Sequence, residues 1–453
     1  MAVPRRTFLA HAACASALAA VSCRPRAADE GALAAGRTAA AGPGPPDWST
    51  PSDPGDRWAA FRRQFALSPD SVHMSALLIA SHPGPVREAI DTYRAELDSD
   101  PVLTLREHNR ARQHAAREAA AKYIGAGADD IALTDSTTMG VALVCNGLAL
   151  REGDEVLTTA KDYYVTHESA RQAAARSGAS VRQIDLYEDI ADVSRGGLAE
   201  AVRSAVGPKT RLVALTWVHS STGLKMPIEE IGEAIAAINA RRGDEDRVLL
   251  SIDGVHGFGI ENLDLRRLKL DFFAAGCHKW LFGPRGTGIL WARGAAWAAA
   301  RPLIPSFTDD GTWEAWLNGE APEGPVEASR MTPGGFKAFE HQWALPAAFD
   351  LHQQLGKAAV ERRTHELARQ LKEGLRGMRH VSLVTPVSDS LSSGIVCFDV
   401  DGLSPWTAVK RLRERRVIAS VTPYAVRHVR LAPSVRNTPG EVDRALAAIR
   451  ELG

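Results

Sequence analysis

From about residue 80 the chain alternates short β-rich apolar runs with stretches whose apolar residues recur at helical spacing. That alternation predicts a parallel α/β sheet. Strands are expected at 131–134, 155–159, 211–218 and 248–253, at a run ending near 275, and at 288–291. Helical patterns lie between them. One runs from Met139 to Leu150, and another opens at Pro227 with Ile231, Ile235 and Ile238 on one face. After about residue 340 the order becomes helix, strand, helix, strand, strand, helix, with a strand at 395–400 and a helix at 406–415 that Ser404 would cap. No internal repeat is visible.

Polar motifs fall where the apolar runs stop. Asp135-Ser136-Thr137-Thr138, Asp162-Tyr163-Tyr164, His219-Ser220-Ser221-Thr222, Asp253-Gly254-Val255-His256 and His278-Lys279 each follow an expected strand. Ligands of open α/β sheets bind beyond the carboxyl ends of the strands. If the strands are parallel, these clusters share one crevice.

Composition narrows the function classes. The chain has 453 residues, with 54 Lys+Arg against 54 Asp+Glu. A balanced charge argues against a nucleic-acid partner. Arg5-Arg6-Thr7-Phe8-Leu9 and the Ala-rich run after it read as a Tat-type signal region over residues 1–28. Export to the periplasm or cell envelope follows. Cys23 in Ala20-Val21-Ser22-Cys23 is a candidate lipid anchor, although the leucine usual in such a motif is missing. Residues 29–52 form an Ala/Gly/Pro-rich linker. No segment beyond the leader is apolar enough to span a membrane. Cys145, Cys277 and Cys397 lack paired spacing, so they are expected as buried apolar residues rather than disulfide or zinc ligands.

The chemistry centres on Lys279 and Asp253. A lysine and a carboxylate, each at the end of a buried strand, are what an enzyme needs to hold pyridoxal phosphate (PLP). The amine bonds the aldehyde and the acid keeps the ring nitrogen protonated. Each cluster has a blander reading. Ser136-Thr137-Thr138 alone is a helix N-cap, and beside the other clusters a phosphate cradle. Tyr163 is either a core aromatic or a ring that stacks on a heterocycle. His256 is a packed loop histidine or a site residue; a metal is disfavoured because no third ligand has familiar spacing. The segment 283–288 lacks the lysine of a P-loop, and 257–259 lacks the third glycine of a dinucleotide fingerprint.

Asp253-Gly254-Val255-His256 with Gly276-Cys277-His278-Lys279-Trp280 resembles the class V aminotransferase family of fold-type-I PLP enzymes. That family includes cysteine desulfurases and isopenicillin N epimerase-like proteins. The resemblance implies an α/β fold, mostly parallel with helices on both faces, plus a smaller C-terminal α/β domain. Residues 53–75 would pack near the active site, 76–325 would form the large PLP-binding domain and 326–453 the small one. Lys279 would carry the cofactor as a Schiff base and move the substrate α-proton. Asp253 would pair with the ring nitrogen, Tyr163 would stack on the ring, and Thr137, Thr138 and His278 would hold the phosphate. Ser220 and His256 would lie near the ring oxygen. Arg430 would grip a substrate carboxylate, a task suited to its planar fork. A homodimer and a small amino-acid-type substrate are also implied.

Departures from the family pattern sharpen the expectation. The loop Ser420-Val421-Thr422-Pro423-Tyr424-Ala425-Val426-Arg427 holds no cysteine where desulfurases place their nucleophile. Desulfuration is therefore disfavoured. Gly334-Gly335-Phe336 with Phe339-Glu340-His341, read together with the twin-arginine leader, resembles the exported enzymes that tailor pyoverdine siderophores. Transamination or related carbanion chemistry is the leading expectation. Epimerisation or elimination is the alternative, as is an exported α/β binding protein without turnover.

Overall fold

The strands alternate between two apolar faces, which is why they form a sheet covered on both sides. In the computed structural model, which describes residues 54–453, the large sheet has seven strands. They are β1 (Ile131–Thr134), β2 (Glu155–Thr159), β3 (Ser180–Ile184), β4 (Thr210–Thr216), β5 (Leu249–Asp253), β6 (Phe272–Gly276) and β7 (Gly288–Ala292). Their spatial order is β1-β7-β6-β5-β4-β2-β3. Only β7 runs against the others: it is antiparallel to both β1 and β6, so β1 keeps the common direction.

Leu133, Leu157, Val213, Leu215, Leu250, Ile252, Phe273 and Ile289 point into one core, shared with helices Pro101–Ile124, Ile228–Asn239 and Leu345–Leu355. Their neighbours Ala132, Val156, Leu212, Ala214, Phe272 and Leu290 point into a second, under helices Thr137–Gly147 and Tyr164–Ser177. Gly140 lets the first of those helices lie close, since a Cβ there would meet the Ala274 Cβ at 2.9 Å. Burial at these densities is the main favourable term in such a fold.

A smaller antiparallel sheet follows, made of β8 (Val381–Leu383), β9 (Val396–Val400), β10 (Ser420–Val421) and β11 (Val429–Leu431) in the order β10-β11-β9-β8. Helices Lys357–Arg376, Pro405–Glu414 and Pro439–Arg450 build its core with Val396, Phe398, Val429 and Leu431. Ser404 caps the second of these helices, its hydroxyl accepting from the Thr407 N–H at 3.2 Å. Residues 54–453 belong to one compact unit. Ala344, Leu345, Ala348 and Phe349 pack in the core of the large sheet. Val72–His73 pairs in parallel with Val417–Ile418, and Met74 enters the small-sheet core. The expected signal region, the candidate anchor at Cys23 and the expected linker lie outside the described residues. No described helix is long and apolar enough to cross a membrane.

A buried ionic knot ties the loop after β5 to the small-sheet side. Glu261 accepts from Lys225 Nζ at 2.8 Å, His365 Nε2 at 2.8 Å and Ser393 Oγ at 2.6 Å. Burial alone would raise its pKa, but the His365 hydrogen bond and the Lys225 charge outweigh that and hold it at about 2, below the ordinary 4.5. Its stabilisation is therefore complete above pH 4.5 and is lost as pH falls towards 2. Glu261→Gln leaves Lys225 buried without a counter-charge. It should lower stability at pH 7 by about 3 kcal/mol in denaturant titrations and flatten the acid limb of the stability profile.

Candidate active site

β1, β2, β4, β5 and β6 all end at the same edge of the sheet, and a pocket opens there. Thr137, Thr138, Tyr163, Ser220, Asp253, His256, His278, Lys279 and Arg430 all line it. These nine residues are thus brought to one pocket, delivered by the ends of five strands and by β11.

One end of the pocket suits an anion. Ser136 Oγ accepts from the Met139 N–H at 3.2 Å and caps helix Thr137–Gly147, whose first residues face the pocket. Thr137 Oγ1 accepts from the Gly276 N–H at 2.7 Å and ties the end of β6 to that helix start. A Cβ at Gly276 would lie 3.0 Å from His278 Cε1 and 3.2 Å from Thr137 Oγ1, so a side chain there would force both to shift. His278 Nδ1 is buried without a partner, which is unusual for a polar atom.

The opposite end carries paired charges. Asp253 closes β5, and its carboxylate accepts from the Val255 N–H at 3.1 Å. Burial raises its pKa to about 6, against the opposing pull of that N–H and the Lys279 charge. Burial lowers Lys279 to about 8, with Asp253 pulling it up and Arg430 pushing it down. Arg430 lies in the middle of β11 and is only 2% exposed. Its Nε donates to Ser420 Oγ at 3.0 Å, Nη1 to the Ser220 carbonyl at 2.9 Å and Nη2 to the Val421 carbonyl at 3.4 Å. A guanidinium has five N–H groups, so one remains on each terminal nitrogen, the pair that a bidentate carboxylate requires.

Residues 80–423 match the model of the family described as "Aminotransferase class-V". The chain belongs to the class V aminotransferase family. It is 30% identical over 415 residues to isopenicillin N epimerase of Streptomyces clavuligerus, covering 87% of this chain and 98% of that protein. It is 24% identical to a probable cysteine desulfurase of Vibrio cholerae serotype O1, over 84% of this chain and 93% of that one. Among solved structures, a C-DES variant with glycine covalently linked to its PLP cofactor superposes with a TM-score of 0.77 at 24% identity, covering 86% and 99% of the two chains. That likeness is one of fold.

Class V aminotransferases are PLP enzymes, and the residues present fit the cofactor. Lys279 would supply the amine for the aldehyde and Asp253 the acid for the ring nitrogen. The His278 Nδ1 that lacks a partner, with Thr137 and Thr138, would hold the phosphate. Tyr163, on the wall of the same pocket, would cover the ring.

Sequence reasoning passed over three supporting residues. Asp162 accepts from Thr158 Oγ1 at 2.7 Å, the Thr159 N–H at 2.7 Å and the Thr216 N–H at 2.6 Å, and so pins the ends of β2 and β4 together beneath Tyr163. It sits in a polar cluster visible in the sequence, but its partners do not. His219 is fully buried, and that burial lowers its pKa, so its 3.8 Å approach to Asp162 is a contact of a neutral ring rather than an ion pair. Tyr424 lies against Ser220, with 2.9 Å between their hydroxyl oxygens, and packs edge-on to Tyr163 at 6.0 Å. Its loop was notable in the sequence only for lacking cysteine.

The amine attacks an aldehyde only when unprotonated. With the Lys279 pKa at about 8, the rate at which apoprotein takes up PLP should rise with pH and level off above 8. At pH 6 it should be about 100-fold slower than the plateau. Stopped-flow absorbance reads this directly, and a flat profile between pH 6 and 9 would contradict the assignment.

Proposed function

We propose that this protein is an exported PLP-dependent enzyme that moves the α-proton of an amino acid or amino-acid moiety and epimerises that centre. The observation that carries the proposal is the pairing of a partly buried lysine amine with a buried arginine whose fork keeps two free N–H groups. Arg430 holds the substrate carboxylate and thereby fixes where Cα lies. Bound PLP supplies an electron sink that weakens the Cα–H bond. Asp253 keeps the ring nitrogen protonated, which that role requires. Lys279 would remove the α-proton from one face of Cα, and epimerisation requires that a proton be returned to the opposite face. Leu77, Leu78 and Val255 wall the pocket with apolar surface and limit water.

The 30% identity to isopenicillin N epimerase over nearly the whole of that protein supports epimerisation as the outcome. Thiol chemistry is not supported. The loop 420–427 has no cysteine, and Cys397 is fully buried, its thiol pushed up to about 12 by that burial. Export rests on Arg5-Arg6 and the run that follows. A siderophore-borne amino-acid residue as substrate rests on the Gly334-Gly335-Phe336 segment. A homodimer would cover Phe307, Trp313, Trp316, Leu317 and Phe336, all exposed in the single chain. Light scattering of the purified protein tests the homodimer and fractionation of producing cells tests export, with a monomer or a purely cytoplasmic protein counting against them.

The reaction is tested by incubating holoenzyme with a panel of L-amino acids in deuterated water. Deuterium at Cα together with D-isomer is expected. Lys279→Ala should abolish both, and Arg430→Lys should lower kcat/KM by about 10- to 100-fold, mostly through KM. Formation of an α-keto acid without inversion would replace epimerisation by transamination, and absence of any exchange would overturn the proposal.

A further inference from the structure

We propose that Trp280 is a positioning residue that locks His256 in the tautomer with its proton on Nε2, so that a neutral N–H faces the ring oxygen of bound PLP. The inference rests on the PLP assignment above. Trp280 Nε1 donates to His256 Nδ1 at 3.3 Å. The two residues are 2% and 5% exposed, respectively. An indole N–H can only donate. His256 Nδ1 must therefore offer its lone pair, and the proton of the neutral ring must reside on Nε2.

The same bond opposes protonation, because an imidazolium would set one N–H against another. The surroundings act in the same direction: burial first, then the Lys279 and Arg430 charges, keep the His256 pKa well below 6.5. His256 is thus a constant donor rather than a proton carrier. It makes no other side-chain hydrogen bond among the described residues. It lies in the loop three residues beyond Asp253 and lines the same pocket. His256 would therefore be the residue to offer an N–H to the hydroxyl oxygen of a ring held between Asp253 and Lys279.

The seat of the indole is a built one. A Cβ at Gly394 would lie 3.0 Å from Trp280 Cη2. At Gly259, whose φ is +85°, a Cβ would lie 2.7 Å from the Trp280 carbonyl carbon. Room is kept for a tryptophan in one orientation. Because Trp280 directly follows Lys279, the residue that anchors the cofactor also carries the one that aims the donor at its oxygen.

The test reads the pH midpoint of the visible absorbance change of substrate-free holoenzyme. A donor at the ring oxygen favours the form with one proton fewer, so losing it raises the midpoint. Trp280→Phe should raise it by about one pH unit. His256→Gln, whose amide supplies an N–H without a tautomer to fix, should stay near wild type, and adding Trp280→Phe to His256→Gln should cause no further shift. An unmoved midpoint in Trp280→Phe overturns the proposal, as does an equal shift in the His256→Gln background, which would mean that Trp280 acts through packing alone. Should Trp280→Phe fail to fold, ¹⁵N spectra of histidine-labelled wild type decide the matter. The chain has 14 histidines, and His256→Gln identifies the relevant signal by its loss. Protonation at Nε2 supports the proposal, and protonation at Nδ1 overturns it. Wild-type protein that takes up PLP, with colour lost in Lys279→Ala, separates a failure here from a failure of the cofactor assignment.

Discussion

A buried carboxylate and an amine that share one pocket and feel each other's charge are the constraint around which this molecule is arranged. Asp253 closes β5, and Lys279 lies just past the end of the adjacent parallel strand β6. Two neighbouring strands that run the same way carry both groups to one sheet edge, so the site follows from topology before any side-chain detail is considered. The reversed strand β7 does not disturb this, because β1 turns back beyond it and delivers the helix start at Thr137 to the same edge.

The edge must also be held still. Asp162 bonds to residues of both β2 and β4. Thr137 bonds the last residue of β6 to the helix that follows β1. Gly254 allows close packing, since a Cβ there would meet the Phe273 ring at 2.1 Å. These contacts leave little freedom in the relative positions of Tyr163, Lys279 and the phosphate end. Such support by groups that do not themselves react is what a preorganised site requires.

Much of this is legible in the sequence, for physical reasons. Strands covered on both faces are apolar at almost every position, so β1, β4, β5 and β6 stand out, and so do the polar residues where they stop. β3 does not. Ser180, Arg182 and Gln183 lie on an edge strand paired on one side only, where polar residues are tolerated and no apolar run forms. The Arg430 fork could be inferred only from resemblance, because its anchors Ser220 and Ser420 come from distant or unremarkable positions. Tyr424 meets Ser220 across 204 residues, and no local spacing announces such a contact. The indole at Trp280 stands in the sequence only as the neighbour of Lys279. Its N–H becomes informative only once His256 is placed beside it.

The electrostatics explain why this arrangement suits one kind of ligand. Burial moves the two central groups in opposite directions, Asp253 up to about 6 and Lys279 down to about 8. Each shift disfavours a charge that water would otherwise stabilise. A ligand relieves both if it presents a cationic ring nitrogen to the acid and an aldehyde to the neutral amine, and if it carries an anion to the unpartnered Nδ1 of His278. Pyridoxal phosphate has those three features on one rigid ring. The thiols are moved the other way: burial pushes Cys277 and Cys397 up to about 12, and the Thr287 hydrogen bond at the first and the Arg430 charge at the second do not offset it. These shifts leave the lysine amine closer to its reactive, uncharged form and the cysteine thiols further from theirs.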